Sequence, residues 1–316
     1  MTQLGNILVT GGAGFLGSQL VLRLLPHAAH IWVLDDLSTG TLDAIPLDPK
    51  VTFVRGSILD RNLLKKLLPN VEYVFHFACA NLINSVSHID QDFETNLTGG
   101  FTMLHETHLS CPQLKRFVYA STASVYSQAD ILPTPETYSR IRLPYPASKF
   151  GVEHYCHVFH HLYGMPVTTL RFSNVYGPGQ LSTNPYCGVV AKFFDAAETG
   201  IPMAIFGDGK QTRDFTYVED AVEAIWLAAL SPDAPGEVFN VGTGKETSVL
   251  ELAHKIRQLT GYTGKITHMP KRVVDIVNRR CLDHSFITSR LAWTPRSTID
   301  AGLEKTRNWL KSRRSD

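Results

Sequence analysis

The chain has 316 residues, 30 basic against 29 acidic side chains, a formal net charge of +1 and a hydrophobic content of 44%. A balance this even excludes a bulk field for nucleic acid or an anionic membrane surface, and the length can bury the core of one large domain or two unequal ones. No apolar run reaches the length of a membrane span, and a first strand starting near residue 6 leaves no room for a signal peptide, so a cytoplasmic protein is expected.

The first element is the apolar run Ile7-Leu8-Val9, a strand over residues 6–10. It runs into Thr10-Gly11-Gly12-Ala13-Gly14-Phe15-Leu16-Gly17-Ser18, then into an apolar-periodic helix over 15–25. Glycines at 11, 14 and 17 let a diphosphate approach the backbone at a positively polarised helix N-terminus. A glycine triplet alone can be an ordinary tight turn. The second strand, 30–35, narrows the choice because it ends at Asp35-Asp36. A carboxylate about twenty residues beyond the glycines accepts hydrogen bonds from an adenosine ribose and repels a 2′-phosphate, so NAD is expected rather than NADP.

Further strands are expected at 51–55, 71–77, 115–121 and 166–172, with helices at 60–68, 91–110 and 147–163. Short apolar strands alternating with helices predict an α/β fold, a Rossmann-type doubly wound parallel sheet. Beyond residue 172 the texture changes to shorter elements punctuated by Gly177-Pro178-Gly179, Gly207-Asp208-Gly209 and Gly242-Thr243-Gly244. This predicts a smaller C-terminal α/β substrate lobe at the carboxyl edge of the sheet, where ligands bind in such folds. The expected division is an NAD-binding domain over 1–172, with 214–240 returning to it, and a substrate lobe over 173–213 and 241–310. Five scattered cysteines (79, 111, 156, 187 and 281) point to reduced thiols, and thirteen histidines show no ligand spacing, so no metal is expected.

The chemistry concentrates after the strand at 115–121. That strand ends in Ser121-Thr122-Ala123-Ser124, and Tyr145-Pro146-Ala147-Ser148-Lys149 opens a helix. Positions i and i+4 share a helix face, so Tyr145 and Lys149 can point together into the cleft. A phenol is a poor base at neutral pH, and a nearby ammonium stabilises its phenolate. Thr122 supplies a hydroxyl that can bridge the phenol and a substrate oxygen. Alone, a Tyr-x-x-x-Lys pair is more often a helix start with a solvated lysine. Beside a dinucleotide turn, it reads as catalytic.

These motifs occur in order with Asp35-Asp36-Leu37-Ser38-Thr39-Gly40, Phe75-His76-Phe77-Ala78, Arg171-Phe172-Ser173-Asn174-Val175-Tyr176-Gly177-Pro178, Phe206-Gly207-Asp208-Gly209 and Gln211-Thr212-Arg213-Asp214-Phe215. Together they resemble the extended short-chain dehydrogenase/reductases, specifically the NAD-dependent nucleotide-sugar epimerase/dehydratase family, over roughly residues 5–300. The resemblance implies that Gly11, Gly14, Phe15 and Leu16 hold the pyrophosphate and that Asp35, Asp36, Ser38 and Gly40 hold the adenosine ribose. It implies Ser57 and Ile58 by the adenine, Ala78 and Ala80 by the nicotinamide, and Lys149 by its ribose. Tyr145 would be the base, Thr122 its partner and Ser124 a substrate contact. Asn174, Arg213 and Arg272 would bind the nucleotide-sugar diphosphate, with Phe206 near the base and Asp275 near its ribose. A planar guanidinium fork also suits phosphate oxygens on its own chemistry. The family's two helices here, about 92–110 and 147–163, usually pair across a two-fold axis, so a homodimer is implied.

Departures refine the reaction. Ser57 replaces a common Asp, and Ala78-Cys79 replaces the usual Ala-Ala. Dehydrating relatives place Asp-Glu directly after the threonine, whereas this chain has Ala123-Ser124, which cannot do that proton work. The expected reaction is therefore C4 epimerisation of a UDP-hexose through a transient 4-keto sugar. The segment Asn184-Pro185-Tyr186-Cys187-Gly188-Val189 resembles bacterial UDP-glucose and UDP-N-acetylglucosamine 4-epimerases. Between Lys66 and Lys115 there is no Lys or Arg, which disfavours a uronate, although Arg279 or Arg280 can supply a cation. The alternatives are a nucleotide-sugar 4-ketoreductase, a UDP-uronate epimerase, and a non-catalytic NAD-binding sensor.

Overall fold

The computed structural model describes residues 3–184 and 186–313, so Pro185 of the Asn184–Val189 segment lies outside the described residues. Seven strands form one sheet: β1 (Asn6–Thr10), β2 (His30–Asp35), β3 (Val51–Arg55), β4 (Tyr73–His76), β5 (Arg116–Thr122), β6 (Val167–Phe172) and a late strand, Val238–Val241. In space they run β3-β2-β1-β4-β5-β6 and then the late strand, every neighbour parallel. The order reverses between β1 and β4, so the loops leaving those two strands diverge and leave a crevice at their carboxyl ends.

Side-chain alternation along β1 builds both faces of the core. Ile7 and Val9 pack with Leu20 and Ile225, whereas Leu8 packs with Met103 and Val152. The first face is covered by α1 (Phe15–Leu24) and the helix Val218–Leu230, the second by Arg61–Leu67, Gly99–Ser110 and α2 (Pro144–Tyr163). Pro144 opens α2 where its missing N–H costs nothing, and Gly164 closes it at φ 64°.

The helix expected over 91–110 is interrupted. Ile89–Asp92 is α-helical, Phe93–Thr98 is a π-helical turn, and Gly99–Ser110 resumes the α-helix. The widened turn carries Asn96, whose amide clamps Ala80: its Oδ1 accepts from Ala80 N (2.9 Å) and its Nδ2 donates to Ala80 O (3.0 Å). Beyond β6 come three two-stranded pairs: Asn174–Tyr176 with Phe215–Tyr217, Thr212–Arg213 with Thr247–Ser248, and Met203–Phe206 with Ile266–Met269. Asp214 pins this region. Its buried carboxylate accepts from Thr243 N (2.8 Å), Thr243 Oγ1 (2.6 Å), Gly244 N (3.1 Å) and Leu282 N (3.1 Å). Among the described residues, no helix is long and apolar enough to cross a membrane.

Candidate active site

A cavity of about 370 Å³ opens at the crevice between β1 and β4. Its wall includes Gly11, Gly14, Phe15, Leu16, Asp35, Asp36, Ser38, Ser57, Ile58 and Ala78, and on the other side Thr122, Tyr145 and Lys149. The glycine turn is built for close approach. A Cβ at Gly17 would stand 2.2 Å from Gly11 O, so the start of α1 packs directly onto the turn. Gly14 caps α1, no side chain caps its first N–H groups, and no acidic residue occupies its first turn. Free N–H groups at a helix start suit a pyrophosphate, so these residues fit a dinucleotide.

Asp35 is 8% exposed and already engaged: Oδ2 accepts from Ala13 N (3.0 Å) and Oδ1 from Leu37 N (2.9 Å). Each oxygen keeps a second lone pair for a ribose hydroxyl. Burial raises its pKa, opposed by those two N–H bonds. Two expected contacts do not face the cavity. A Cβ at Gly40 would lie 2.7 Å from the Ala13 carbonyl carbon, so Gly40 lets its loop pack on the glycine turn. Ala80 is likewise not in the wall, because Asn96 holds its backbone from behind.

The catalytic candidates sit deeper than the sequence suggests. Tyr145 is pushed well above the ordinary phenol value, first by burial and then by Cys79, while a hydrogen bond from Thr122 opposes the rise. Lys149, 2% exposed, stands 4.4 Å over the Tyr119 ring, and burial lowers its pKa. The ammonium is held against Tyr119, and desolvation opposes ionisation of the Tyr145 phenol. His76, stacked on Tyr119 and bonded to Thr10 Oγ1 (2.7 Å), is pushed down to about 3 by burial and the Lys149 charge, so it is a neutral spacer.

Sequence reasoning missed the residues that hold this set. Asp92 accepts from Ser148 Oγ (2.6 Å) and from Asn96 Nδ2 (2.7 Å), tying α2 beside Lys149 to the Ala80 loop. Glu153, one turn beyond Lys149, pairs with Arg171 (2.6 Å) and accepts from Ser121, the neighbour of Thr122. Arg171 also donates to Tyr126 OH (3.0 Å), which donates to Asn240 (2.5 Å). The i+4 and i+8 spacing from Tyr145 to Lys149 and Glu153 was the available signal.

A second cavity of about 300 Å³ meets the first at Asn81 and Tyr186, which line both. Ser124, Asn174, Phe206, Arg213, Arg272 and Asp275 all line it. Arg213 donates to Thr212 O (2.7 Å) and Val277 O (3.0 Å), and burial lowers its pKa. Arg272 lies 4.4 Å over the Phe206 ring and donates to both Asp275 oxygens (2.9 and 2.7 Å). Arg272 and Asp275, expected on different parts of a ligand, are thus an ion pair here. Asn174 Oδ1 and Gln211 Oε1 are buried without a hydrogen-bond partner in the same wall. Among the described residues no group of three or more His, Cys, Asp or Glu side chains is arranged to hold a metal ion.

A dinucleotide cradle, a Thr-Tyr-Lys set and an arginine-lined cavity thus share one cleft. A profile of the NAD dependent epimerase/dehydratase family matches residues 7–242. The chain belongs to this family. The UDP-glucose 4-epimerase of Mycolicibacterium smegmatis is 34% identical over 313 residues, covering 97% of this chain and 98% of that protein. The crystal structure of a Thermotoga maritima UDP-glucose 4-epimerase with UDP-glucose superposes with a TM-score of 0.92 at 35% identity, covering 98% of this chain and 99% of that one. The Thermus thermophilus UDP-glucose 4-epimerase complex with NAD superposes at 0.88 with 32% identity, covering 97% and 99%. As a member of an NAD-dependent family whose cradle fits a dinucleotide, the epimerase/dehydratase chain uses NAD as its cofactor.

Proposed function

We propose that this chain epimerises C4 of a nucleotide-diphosphate hexose, with a UDP-hexose the favoured substrate. The observation that carries the reading is the junction of the two cavities at Asn81 and Tyr186. A molecule whose diphosphate lies among the arginines can reach Tyr145 with its sugar. The UDP-glucose 4-epimerases to which the chain is similar support the same base, sugar and carbon.

Bound NAD supplies a hydride acceptor and donor and, in its oxidised form, a positive charge that favours the phenolate. Tyr145 takes the proton of the sugar C4 hydroxyl and later returns it, with Thr122 bridging the two oxygens. Lys149 takes the nicotinamide ribose. Arg213 and Asn174 hold the diphosphate while the 4-keto sugar turns, so the same carbon is reduced on its opposite face. Phe206 offers a ring to the base, and Asp275 and Arg272 close that end. Ala123 and Ser124 carry no carboxylate, so the water loss of a dehydratase has no acid or base at those positions.

In this reading residues 1–172 and 214–240 hold NAD, and 173–213 with 241–310 hold the nucleotide sugar. The late strand Val238–Val241 and the helix Val218–Leu230, packed on the main sheet, support that division. A homodimer formed through Gly99–Ser110 and α2 is part of the proposal, supported by the exposed Leu109, Tyr155, Val158 and Leu162 on those helices. A cytoplasmic location is supported by five free cysteines.

The test incubates the purified protein with UDP-glucose and substoichiometric NAD. UDP-galactose should accumulate to equilibrium without net NADH. A product that forms only with stoichiometric NADH or NADPH would replace the epimerase with a ketoreductase.

A further inference from the structure

Four of the five cysteines are shielded from reaction. Cys111, Cys156 and Cys281 are buried and Cys187 is half-buried. Burial pushes Cys111 and Cys281 up to about 12 and also raises Cys156 and Cys187. A thiol reacts as its thiolate, so these four are poor nucleophiles. Cys79 is the exposed one, and it stands in the wall of the first cavity with Thr122, Tyr145 and Lys149.

The backbone holds Cys79 there from both sides. Ala78 packs on the glycine turn so closely that a Cβ at Gly11 would lie 2.6 Å from its N. Asn96 holds both backbone groups of Ala80, at 2.9 and 3.0 Å. A side-chain hydrogen bond joins the thiol between them to the Tyr145 phenol. Lys149 supplies an independent observation. It is 2% exposed, and among the described residues its ammonium makes no hydrogen bond or ion pair and has only the Tyr119 ring, at 4.4 Å. A buried ammonium without an acceptor costs free energy that an oxygen within reach would offset. Burial lowers the Lys149 pKa, and the charge at Cys79 is the first to oppose that, in keeping with a sulfur close by.

We propose that Cys79 is a site of reversible oxidation by hydroperoxides, and that the oxygen it gains captures Lys149 and closes the cavity to the nicotinamide end of NAD. The thiolate sulfur attacks one peroxide oxygen. An S–O bond forms, the O–O bond breaks, sulfur gives two electrons to the peroxide, and water or an alcohol leaves with the thiol's proton. The sulfenic oxygen then accepts from the ammonium that the nicotinamide ribose would use. Because residues 78 and 80 are both pinned, the loop cannot carry the enlarged side chain out of the wall. A dithiol reverses the step. One of its sulfurs displaces water from Cys79, and the other closes the dithiol into its own disulfide and frees the thiol. The inference rests on the reading that the nicotinamide lies beside Lys149, and it is independent of which sugar carbon reacts.

The experiment treats the purified protein with hydrogen peroxide, with and without prior NAD. Dimedone labelling and mass spectrometry measure sulfenic acid at each cysteine, and untrapped samples are read for UDP-glucose turnover and for the thermal shift that NAD induces. Both readouts should fall in proportion to the label at Cys79 and recover with dithiothreitol, and prior NAD should suppress the label. Cys79→Ser should keep its own untreated activity and NAD shift under the same peroxide. Absence of label at Cys79, label there with the NAD shift intact, or an equal loss in Cys79→Ser overturns the proposal. If Cys79→Ser does not fold, the wild-type proportion between label and NAD shift decides. If UDP-glucose is never turned over but the NAD shift still follows the label at Cys79, the oxidation site stands and the epimerase reading falls.

Discussion

Tyr145 must act as a base in surroundings that oppose its ionisation. Burial is the largest cause of its raised pKa, Cys79 the next, and a hydrogen bond with Thr122 pulls the other way. Replacing Tyr145 by Phe should lower kcat by about 10² to 10⁴-fold while nucleotide-sugar binding, read by thermal shift, persists. Cys79→Ala tests the second cause. A base works deprotonated, so activity is present above its pKa and lost as pH falls through it. Removing a neighbour that raises the pKa should move that loss to lower pH in a kcat profile. An unmoved or upward-shifted limb would show that Cys79 does not act on Tyr145. The substitution at 79 was visible in the sequence. Its contact with the phenol was not, because that depends on how the loop after β4 lies against α2.

At the scale of elements, α2 does two jobs through one face. Tyr145, Lys149 and Glu153 follow one another at four-residue spacing, and Glu153 locks to Arg171 on β6 with both side chains almost fully buried. Glu153→Leu leaves the Arg171 charge alone in the core. Urea unfolding should report a loss of about 3–5 kcal/mol, and a loss below about 1 kcal/mol would mean that the network is not structural. The strands of the first half were legible because apolar runs and turns mark them directly. The helix over 91–110 was legible as a helix, but its π turn was not. That turn carries Asn96, whose bonds to Ala80 join positions 16 residues apart in a way that periodicity does not encode. The small strand pairs of the second half were equally hidden, since each is only two to four residues long.

Over the whole molecule, the reversal of strand order puts the dinucleotide cradle at the centre of the sheet, and the second half lays an arginine-lined cavity across its mouth. Motifs in the sequence named the polar and charged groups at both ends of the cleft and left much of each wall unnamed. They could not show that Arg213 bonds the Val277 carbonyl or that Asn174 Oδ1 stands buried without a partner, because those follow from packing between distant segments. The account's central claim is that hydride leaves C4 and returns to the same carbon within one turnover. The most direct measurement turns over UDP-glucose labelled with deuterium at C4. The account predicts a C4 epimer that keeps its deuterium at C4. Loss of the label to solvent, or its appearance in released NADH with an oxidised sugar, would contradict it.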